Sequence, residues 1–369
     1  MSAYRHACHG RGYLRGVPLA AVSRLALASA LLVTACAAPT PTPTPAATPT
    51  PSPSPDAFVV RWGGDVLLGD AAAPLLAEKG FGWPFQRIAA LLEADYLVGN
   101  AEGPITTLAD PHFPEQEFSY NADPASATAL AEVGFDAVSV SNNHALDRGP
   151  DGLRDTIAHL TDAGVAPFGA GMYDEAIAPH LVETPHGVLA IIGLGERWNY
   201  GAEATATELG TVSITAESVE RAHALAVDGG ARWTVAYVHW GENYSGVTDA
   251  QRTAARLFAD AGYDLVIGHH PHVTQEVEII EGMPVLYSLG NLVFGTPGRF
   301  DSGEGFGLIA TTRLSGGPIE IRLSCIVTDN DAVGFQPEPC TASEAEGLFA
   351  RLGPVRADGD DAVVEAPGS

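Results

Sequence analysis

The chain has 369 residues, 46% of them hydrophobic, and carries 45 acidic against 19 basic side chains, a net charge of −26. This length and apolar content suffice for one large folded domain or two smaller ones. The acidic balance excludes a nucleic-acid-binding protein, because phosphate neutralisation needs a surplus of Lys and Arg. Four Cys residues are too few for a disulfide-framework miniprotein.

The N-terminal segment predicts export. Residues 1–55 contain four Arg and no Asp or Glu, so the remainder carries 15 basic and 45 acidic residues. The basic start precedes an apolar run at 25–33 that is too short to span a membrane permanently. The run ends in Val-Thr-Ala-Cys, which resembles the lipobox of bacterial lipoproteins. We therefore predict a lipoprotein signal peptide over residues 1–35 and a lipid anchor on Cys36, at the outer face of the cell membrane. An ordinary secretory signal cut nearby is the alternative.

Residues 36–55 predict a linker, and the last residues a tail. The linker alternates Pro with Thr or Ser, which favours extended polyproline II and cannot form a core. It would hold the folded domain, predicted over residues 56–355, away from the membrane. Residues 356–369 are acidic and rich in Gly and Ala, and we predict a disordered tail there.

The pattern between the linker and the tail is that of an α/β protein. Apolar runs predict strands at 58–62, 96–98, 137–140, 189–194, 234–238 and 265–267. Helical spacing of apolar residues occurs at 84–93, 124–133, 152–163, 216–227 and 250–261. Further strands with little helix follow at 273–280, 285–288, 307–314 and 319–326. This order predicts two packed sheets with helices outside.

Polar residues follow five of the predicted strands, and they are of the types that bind metal ions. They are Asp65, Asn100 with Glu102, Asn143 with His144 and Asp147, His239 with Glu242, and His270 with His272. Ligands of α/β sheets collect at the carboxyl ends of strands, and this mixture of N and O donors suits Mn, Fe or Zn. Each residue taken alone fits a helix cap, a turn or a core histidine equally well. Taken together, they predict a functional site.

Six segments carry a family resemblance: GGDVLLGD, DYLVGNAEGPIT, SVSNNHALDRG, VHWGENY, GHHPHVTQ and YSLGNLVF. In this order they resemble the CapA family of poly-γ-glutamate capsule synthesis proteins, which is related to calcineurin-like metallophosphoesterases. The resemblance runs from about residue 57 to residue 322. It implies an α/β fold of the metallophosphoesterase type, a four-layered α/β/β/α sandwich.

The resemblance also implies roles for individual residues. The implied metal ligands are Asp65, Glu102 as the bridging carboxylate, Asn143, His239, His270 and His272. Glu102 is preferred over Asp95 because Asp95 begins its strand rather than ending it. His144 would assist the leaving group, with Asp147 orienting it. Leu67 stands where the metallophosphoesterase pattern has a His two residues after the first Asp, so one of two metal positions is a ligand short.

Two functions remain open from the sequence. The first is a metal-dependent hydrolase of capsule biosynthesis or processing that uses one or two divalent ions and an activated water. The second is a non-catalytic component that binds, exports or anchors the polymer. Implied partners are an anionic polymer such as poly-γ-glutamate, the membrane through the lipid anchor, and a membrane synthase complex. Candidates to line the pocket are Asn100, Glu242 and Asn291, and candidates to hold anionic groups are Arg148, Arg197 and Arg299.

Cys325 and Cys340 are the remaining cysteines after Cys36 in the exported part of the chain. We predict a disulfide between them, because exported proteins fold in an oxidising environment. Two free thiols are the alternative.

Overall fold

The computed structural model describes residues 57–196, 203–298 and 305–365. The strands are β1 (Phe58–Leu67), β2 (Tyr96–Ala101), β3 (Ala137–Ser139), β4 (Ala166–Phe168), β5 (Ala170–Gly171), β6 (His180–Thr184), β7 (Gly187–Gly195), β8 (Gly210–Thr211), β9 (Ala231–His239), β10 (Leu265–His269), β11 (Val277–Ile280), β12 (Met283–Leu286), β13 (Asn291–Phe294), β14 (Phe306–Leu314), β15 (Glu320–Val327), β16 (Glu338–Pro339), β17 (Val355–Asp358) and β18 (Asp361–Val364). The predicted signal peptide and linker with Cys36, and the candidates Arg197 and Arg299, lie outside the described residues.

Helices connect many of these strands. They are α1 (Ala73–Lys79), α2 (Ala89–Leu92), α3 (Ala125–Val133), α4 (Gly149–Ala163), α5 (Tyr173–Ala176), α6 (Ala216–Asp228), α7 (Asp249–Ala261), α8 (Asn330–Val333) and α9 (Ala342–Phe349). Helix α7 shows how the sequence sets their bounds. The Thr248 side chain accepts from the Gln251 amide at its start, and Gly262 adopts the left-handed conformation at its end. No helix in the described part of the chain is long and apolar enough to cross a bilayer.

Two large sheets form the centre of the domain. The first has ten strands in the order β17-β18-β15-β14-β1-β2-β3-β4, with β13 paired to β1 and β16 paired to β15. The second has six strands in the order β11-β12-β10-β9-β7-β6. Strands β1, β2, β3 and β4 are parallel, as are β7, β9, β10 and β12. Parallel strands that share a direction bring their carboxyl ends to one edge.

Three apolar clusters show that the layers are α/β/β/α, as the sequence predicted. The cluster between the sheets joins Val60 and Trp62 of the first to Ile191 and Val235 of the second. A second cluster packs the other face of the first sheet against α1, α3 and α4, and a third packs the second sheet against α6 and α7. Strands buried on both faces explain why the sequence contains apolar runs rather than strict alternation.

The predicted helix over residues 84–93 is wrong in part. A 3₁₀ turn at Trp83–Phe85 and the short helix α2 occupy this stretch instead. Ile88 lies between them with φ −104° and ψ 5°, outside the helical region, so the two pieces do not join. The apolar spacing that suggested a helix still faces the core, since Phe85, Ile88 and Leu92 are buried.

The predicted tail over residues 356–369 is also wrong, as far as residue 364. Strands β17 and β18 form a hairpin, and β18 pairs with β15 in the first sheet. Ala362 and Val364 are buried in the cluster between the sheets. The acidic side chains around them are tied to the sheet, because Arg322 forms an ion pair with Asp358 and the Ser324 hydroxyl donates to Asp361. Ala362 and Val364 are buried whereas Asp361 and Val363 are only half-buried, which is the two-residue alternation of a strand. The prediction of a tail rested on composition alone and overlooked this pattern.

A disulfide joins Cys325 of β15 to Cys340, as predicted. The two cysteines are 15 residues apart, and the backbone also pairs there, since the Cys340 amide donates to the Cys325 carbonyl. The bridge therefore fixes the chain that leads from β15 to α9.

Candidate metal centre

The carboxyl ends of strands from both sheets meet at one buried cluster. Asp65 on β1 lies in register with Asn100 of β2 and with Asn291 of β13. In the second sheet, His239 at the end of β9 lies opposite His269 at the end of β10. The register alone therefore places these side chains side by side.

Local backbone features bring the two sheets close enough for this cluster to form. The Asp65 amide donates to the Gly290 carbonyl at 3.1 Å, and a Cβ atom at Gly64 would lie only 1.7 Å from that oxygen. Any side chain at residue 64 would push the strand ends apart. His270 and His272 have φ of 102° and 59°, so the His-Pro-His segment is not extended backbone. Non-glycine residues hold such conformations only where the surroundings enforce them, commonly at functional sites.

One set of donors surrounds Nε2 of His239. Oδ1 of Asn143 lies 2.7 Å from this nitrogen and Nδ1 of His270 lies 2.9 Å from it. Oε1 of Glu102 lies 3.9 Å from the same atom. Four donors from four parts of the chain thus converge on one point, which we call the second position.

A smaller set of donors lies beside it, and we call it the first position. His272 places Nε2 at 3.7 Å from Oε1 of Glu102 and Nδ1 at 3.4 Å from Oδ2 of Asp65. Asp65, Glu102 and His272 each offer an atom within 4.8 Å of the others. Leu67 is buried against Tyr120 and Phe294 and supplies no donor, so three donors surround this position.

Glu102 lies between the two positions and fits a cation. Its side chain is wholly buried, and neither carboxylate oxygen has a hydrogen-bond partner among the described residues. Burial, followed by the negative charge of Asp65, raises the pKa of Glu102 well above its ordinary value. A divalent cation beside the two carboxylates would supply the charge that they lack and reverse this shift. The donor set therefore fits one or two divalent ions of the Mn, Fe or Zn type.

The remaining pKa shifts agree with ligand chemistry. Burial, with a further contribution from His270, lowers the pKa of His239 well below its ordinary value, and burial followed by His272 lowers that of His270. Neutral imidazole is the form that binds metal. Burial works to raise the pKa of Asp65, but contacts with His269, His272 and His239 outweigh it and hold that pKa well below its ordinary value. Asp65 is therefore a carboxylate even without a cation.

A histidine and an aspartate stand beside the cluster. Nδ1 of His144 lies 2.7 Å from Oδ2 of Asp147, and Nε2 of His144 lies 3.8 Å from Oε1 of Glu102. Two hydrogen bonds hold Asp147 in place. The backbone amide of Tyr120 donates to Oδ2 at 2.6 Å, and the side-chain amide of Gln116 donates to Oδ1 at 3.1 Å. The carboxylate fixes the orientation of His144 so that Nε2 faces the centre.

The other predicted pocket residues separate into two groups. Asn100 donates to Oδ1 of Asp65 at 2.8 Å, and Oδ1 of Asn291 lies 2.9 Å from Nδ1 of His272, so both orient candidate ligands. Glu242 is exposed and does not belong to the cluster. Arg148 donates to the Ser119 hydroxyl at 2.6 Å rather than to the centre.

Sequence reasoning missed three residues of the site. His269 lies within the cluster, while Gln116 and Tyr120 hold Asp147. The signal for His269 was present, because it directly precedes His270. Gln116 and Tyr120 lie in an irregular segment between β2 and α3, where spacing carries no information about contacts.

The fold and the cluster together define a class: a four-layered α/β protein with a candidate metal centre at the strand ends. The family model described as "Bacterial capsule synthesis protein PGA_cap" matches residues 59–296, which is more than half of the chain. The chain belongs to this family.

Two Bacillus relatives support the same assignment. The chain is 29% identical over 239 residues to "Capsule biosynthesis protein CapA" of Bacillus anthracis, covering 63% of this chain and 58% of that protein. It is 30% identical over 241 residues to "PGA biosynthesis protein CapA" of Bacillus subtilis, covering 63% and 62% respectively. The match thus spans about three fifths of the length of these relatives. Among solved structures, a Haemophilus influenzae NAD nucleotidase is similar over 82% of this chain and 64% of its own, with 12% identity and a TM-score of 0.42.

Proposed function

We propose that the protein is a cell-surface lipoprotein of poly-γ-glutamate capsule biosynthesis or processing, and that it is a metal-dependent hydrolase. Family membership and the similarity to the CapA proteins of Bacillus support the capsule role. One observation above all supports hydrolase activity. The carboxylate of Glu102 is buried without a hydrogen-bond partner among the described residues, and the His144–Asp147 pair lies beside it.

The residues of the site have separate tasks in this proposal. Asn143, His239 and His270, with Glu102, would hold the cation of the second position, and Asp65 and His272, again with Glu102, that of the first. When bound, such an ion lowers the pKa of water and stabilises negative charge on the substrate. In its protonated form His144 would donate the proton on Nε2 to the leaving group, while Asp147 accepts from Nδ1–H, which holds the ring in place and stabilises the imidazolium. The buried walls exclude bulk water and strengthen these interactions.

Activity of the purified full-length chain tests this proposal. The protein would be loaded with Mn²⁺ or Zn²⁺ and given an aryl phosphate and, separately, poly-γ-glutamate, with phosphate release and polymer length as readouts. We expect turnover of one substrate that is lost in His144→Asn with cation content unchanged. His159→Asn serves as the matched control, because the half-buried His159 lies on α4 and outside the cluster. Bound cation with no turnover of either substrate would rule out the hydrolase.

The second candidate function is polymer binding without catalysis. Leu67 in place of a ligand favours it, because a three-donor first position is a weaker platform for hydrolysis. In that case the cations would grip carboxylates of the polymer. Binding of poly-γ-glutamate that requires cation, with no shortening of the polymer over days, would select this function.

Export and anchoring rest on the sequence of residues 1–55 and are part of the proposal. Labelling cells with an alkyne-bearing fatty acid should mark the full-length chain, and Cys36→Ala should abolish the label. Exposure at the outer face would appear as digestion by protease added to intact cells. A membrane synthase complex is the proposed partner, and crosslinking in capsule-forming cells followed by mass spectrometry would test it.

A further inference from the structure

An open cavity of about 490 Å³ lies on the outer face of the first sheet, and none of the candidate metal ligands lines it. It borders the amino-terminal half of β1, whereas Asp65 stands near the carboxyl end of that strand. Val60 points into the cluster between the sheets, so Arg61 points to the opposite face. Register places Arg61, Thr311 and Arg322 in one row across β1, β14 and β15, and all three line the cavity. The proposed function gives this cavity no task.

Charges of both signs surround the cavity. Three arginines and three carboxylates line it: Arg61, Arg313, Arg322, Glu93, Asp95 and Asp361. A solvated sheet face often carries such residues as ion pairs, and two of the arginines fit that description. Arg322 pairs with Asp358 at 2.9 Å, and Nε of Arg313 lies 4.0 Å from Glu320. Arg61 differs from both.

Arg61 carries a charge that no contact with the described residues compensates. Its side chain is half-buried, Nη1 donates to the Leu91 carbonyl, and Nε is buried without a hydrogen-bond partner in the described part of the chain. Burial lowers the pKa of Arg61, and attraction by Asp361 and Glu93 opposes only part of that effect. A guanidinium in this state gains stability from an anion that enters the cavity.

The carboxylates restrict which ligand fits beside Arg61. Asp361 is half-buried and accepts from the Ser324 hydroxyl at 2.7 Å, while Glu93 is exposed at the rim. Both would repel a simple anion bound at Arg61, and the arginines would repel a simple cation bound at the two carboxylates. A molecule that carries both charges on neighbouring groups avoids both repulsions.

We propose that this cavity binds a free α-amino acid in its zwitterionic form. The carboxylate of the ligand pairs with the planar guanidinium of Arg61, and the ammonium faces Asp361 and Glu93. Thr311 is buried in the row between Arg61 and Arg322 and forms the floor, and the remaining volume receives the side chain of the ligand. This inference does not depend on the proposed function, because the cavity and the candidate metal centre share no residue.

Calorimetric titration of the metal-free full-length protein with L-alanine tests the site. Propionate lacks the ammonium and alaninamide lacks the carboxylate, and we expect each to bind about 10-fold more weakly than L-alanine, or weaker still. Arg61→Gln should weaken binding of L-alanine by a similar factor. Arg356→Gln is the matched control, because Arg356 is exposed on β17, pairs with Glu365 and does not line the cavity. Its affinity for L-alanine should equal that of the unmodified protein.

Glu93→Gln separates ligand recognition from folding. Glu93 is exposed, so its replacement leaves the buried core intact. We expect this variant to bind L-alanine more weakly and propionate more tightly than the unmodified protein. A purely structural role of Glu93 would not move the two affinities in opposite directions.

The remaining outcomes would overturn the inference in different ways. Equal affinity for L-alanine and propionate would show a simple anion site, and no binding of either L-alanine or L-glutamate would show that there is no amino-acid site. Binding that appears only after addition of Mn²⁺ would assign the ligand to the candidate metal centre. Opposite responses of L-alanine and propionate in Glu93→Gln support the inference, even if Arg61→Gln does not fold.

Discussion

The candidate metal centre and the C-terminal edge of the first sheet are stabilised by different means. The centre draws buried side chains from residues between Asp65 and Asn291, and most of its donors face each other rather than water. The edge consists of β15 to β18 and α9, which are close in sequence, joined by a disulfide and rich in exposed acidic residues. The comparison teaches that the acidity of the chain is mostly solvated surface, while the few carboxylates that bear on the proposed function are buried beside histidines.

The largest expected effect is loss of the cation at the first position through a change in a single ligand. Asp65→Asn removes a charge from the first position and should abolish its cation, while the second position keeps its four donors. We expect the number of bound ions per chain, measured by elemental analysis, to fall by one and hydrolysis to be lost. Asp95→Asn is the matched control, because Asp95 is exposed and its carboxylate accepts from the Val59 backbone amide, outside the cluster. Unchanged ion content in Asp65→Asn would remove Asp65 from the ligand set.

Replacing His144 should lower the rate of hydrolysis without changing the cation content. Replacing it with Asn removes the proton donor, and general acid catalysis typically contributes about 10²–10⁴-fold. Asp147→Asn should cost less, because it misorients His144 without removing it. Steady-state rates at saturating cation would measure both, with ion content as the check. A His144 variant that loses its cation would show instead that His144 is a ligand.

The disulfide should affect stability without affecting the centre. Closing a loop of 15 residues stabilises a fold by about 3 kcal/mol in the chain-entropy treatment. We expect the double variant Cys325→Ser with Cys340→Ser to unfold at lower urea by roughly that free energy. Its cation affinity should equal that of the unmodified protein. A fall in cation affinity would show that the disulfide region and the candidate metal centre do not act independently.

A smaller effect is expected from pH at the outer edge of the second sheet. His180 on β6 contacts the Tyr96 hydroxyl at 2.6 Å, and burial lowers the pKa of His180. His180 therefore binds a proton less readily in the folded state than in the unfolded chain, where the pKa of a histidine is about 6.5. Stability from this group is present above that pH and declines as pH falls. Urea unfolding at pH 7.5 and 5.5 should show a larger loss in the unmodified protein than in His180→Gln, which cannot titrate.

Much of the fold was readable from the sequence. The central strands were found because parallel strands buried on both faces are continuous apolar runs, and helices α3, α6 and α7 were found from their spacing. The hairpin of β17 and β18 was missed because its strands are short and acidic, and only pairing with β15 makes them strands. The prediction of one helix over residues 84–93 was wrong, because the spacing of apolar residues does not reveal the break in the helical backbone at Ile88.

The sequence by itself determined which residue types stand at the strand ends, and hence the chemistry of the centre. Asp65, Glu102, Asn143, His239, His270 and His272 were all recognised there, because strand ends can be located from apolar runs. Only the tertiary structure decided that Glu242 stays outside and that His269 lies inside. The reason is that register and loop conformation fix where a side chain points, and both arise from contacts between segments far apart in the chain.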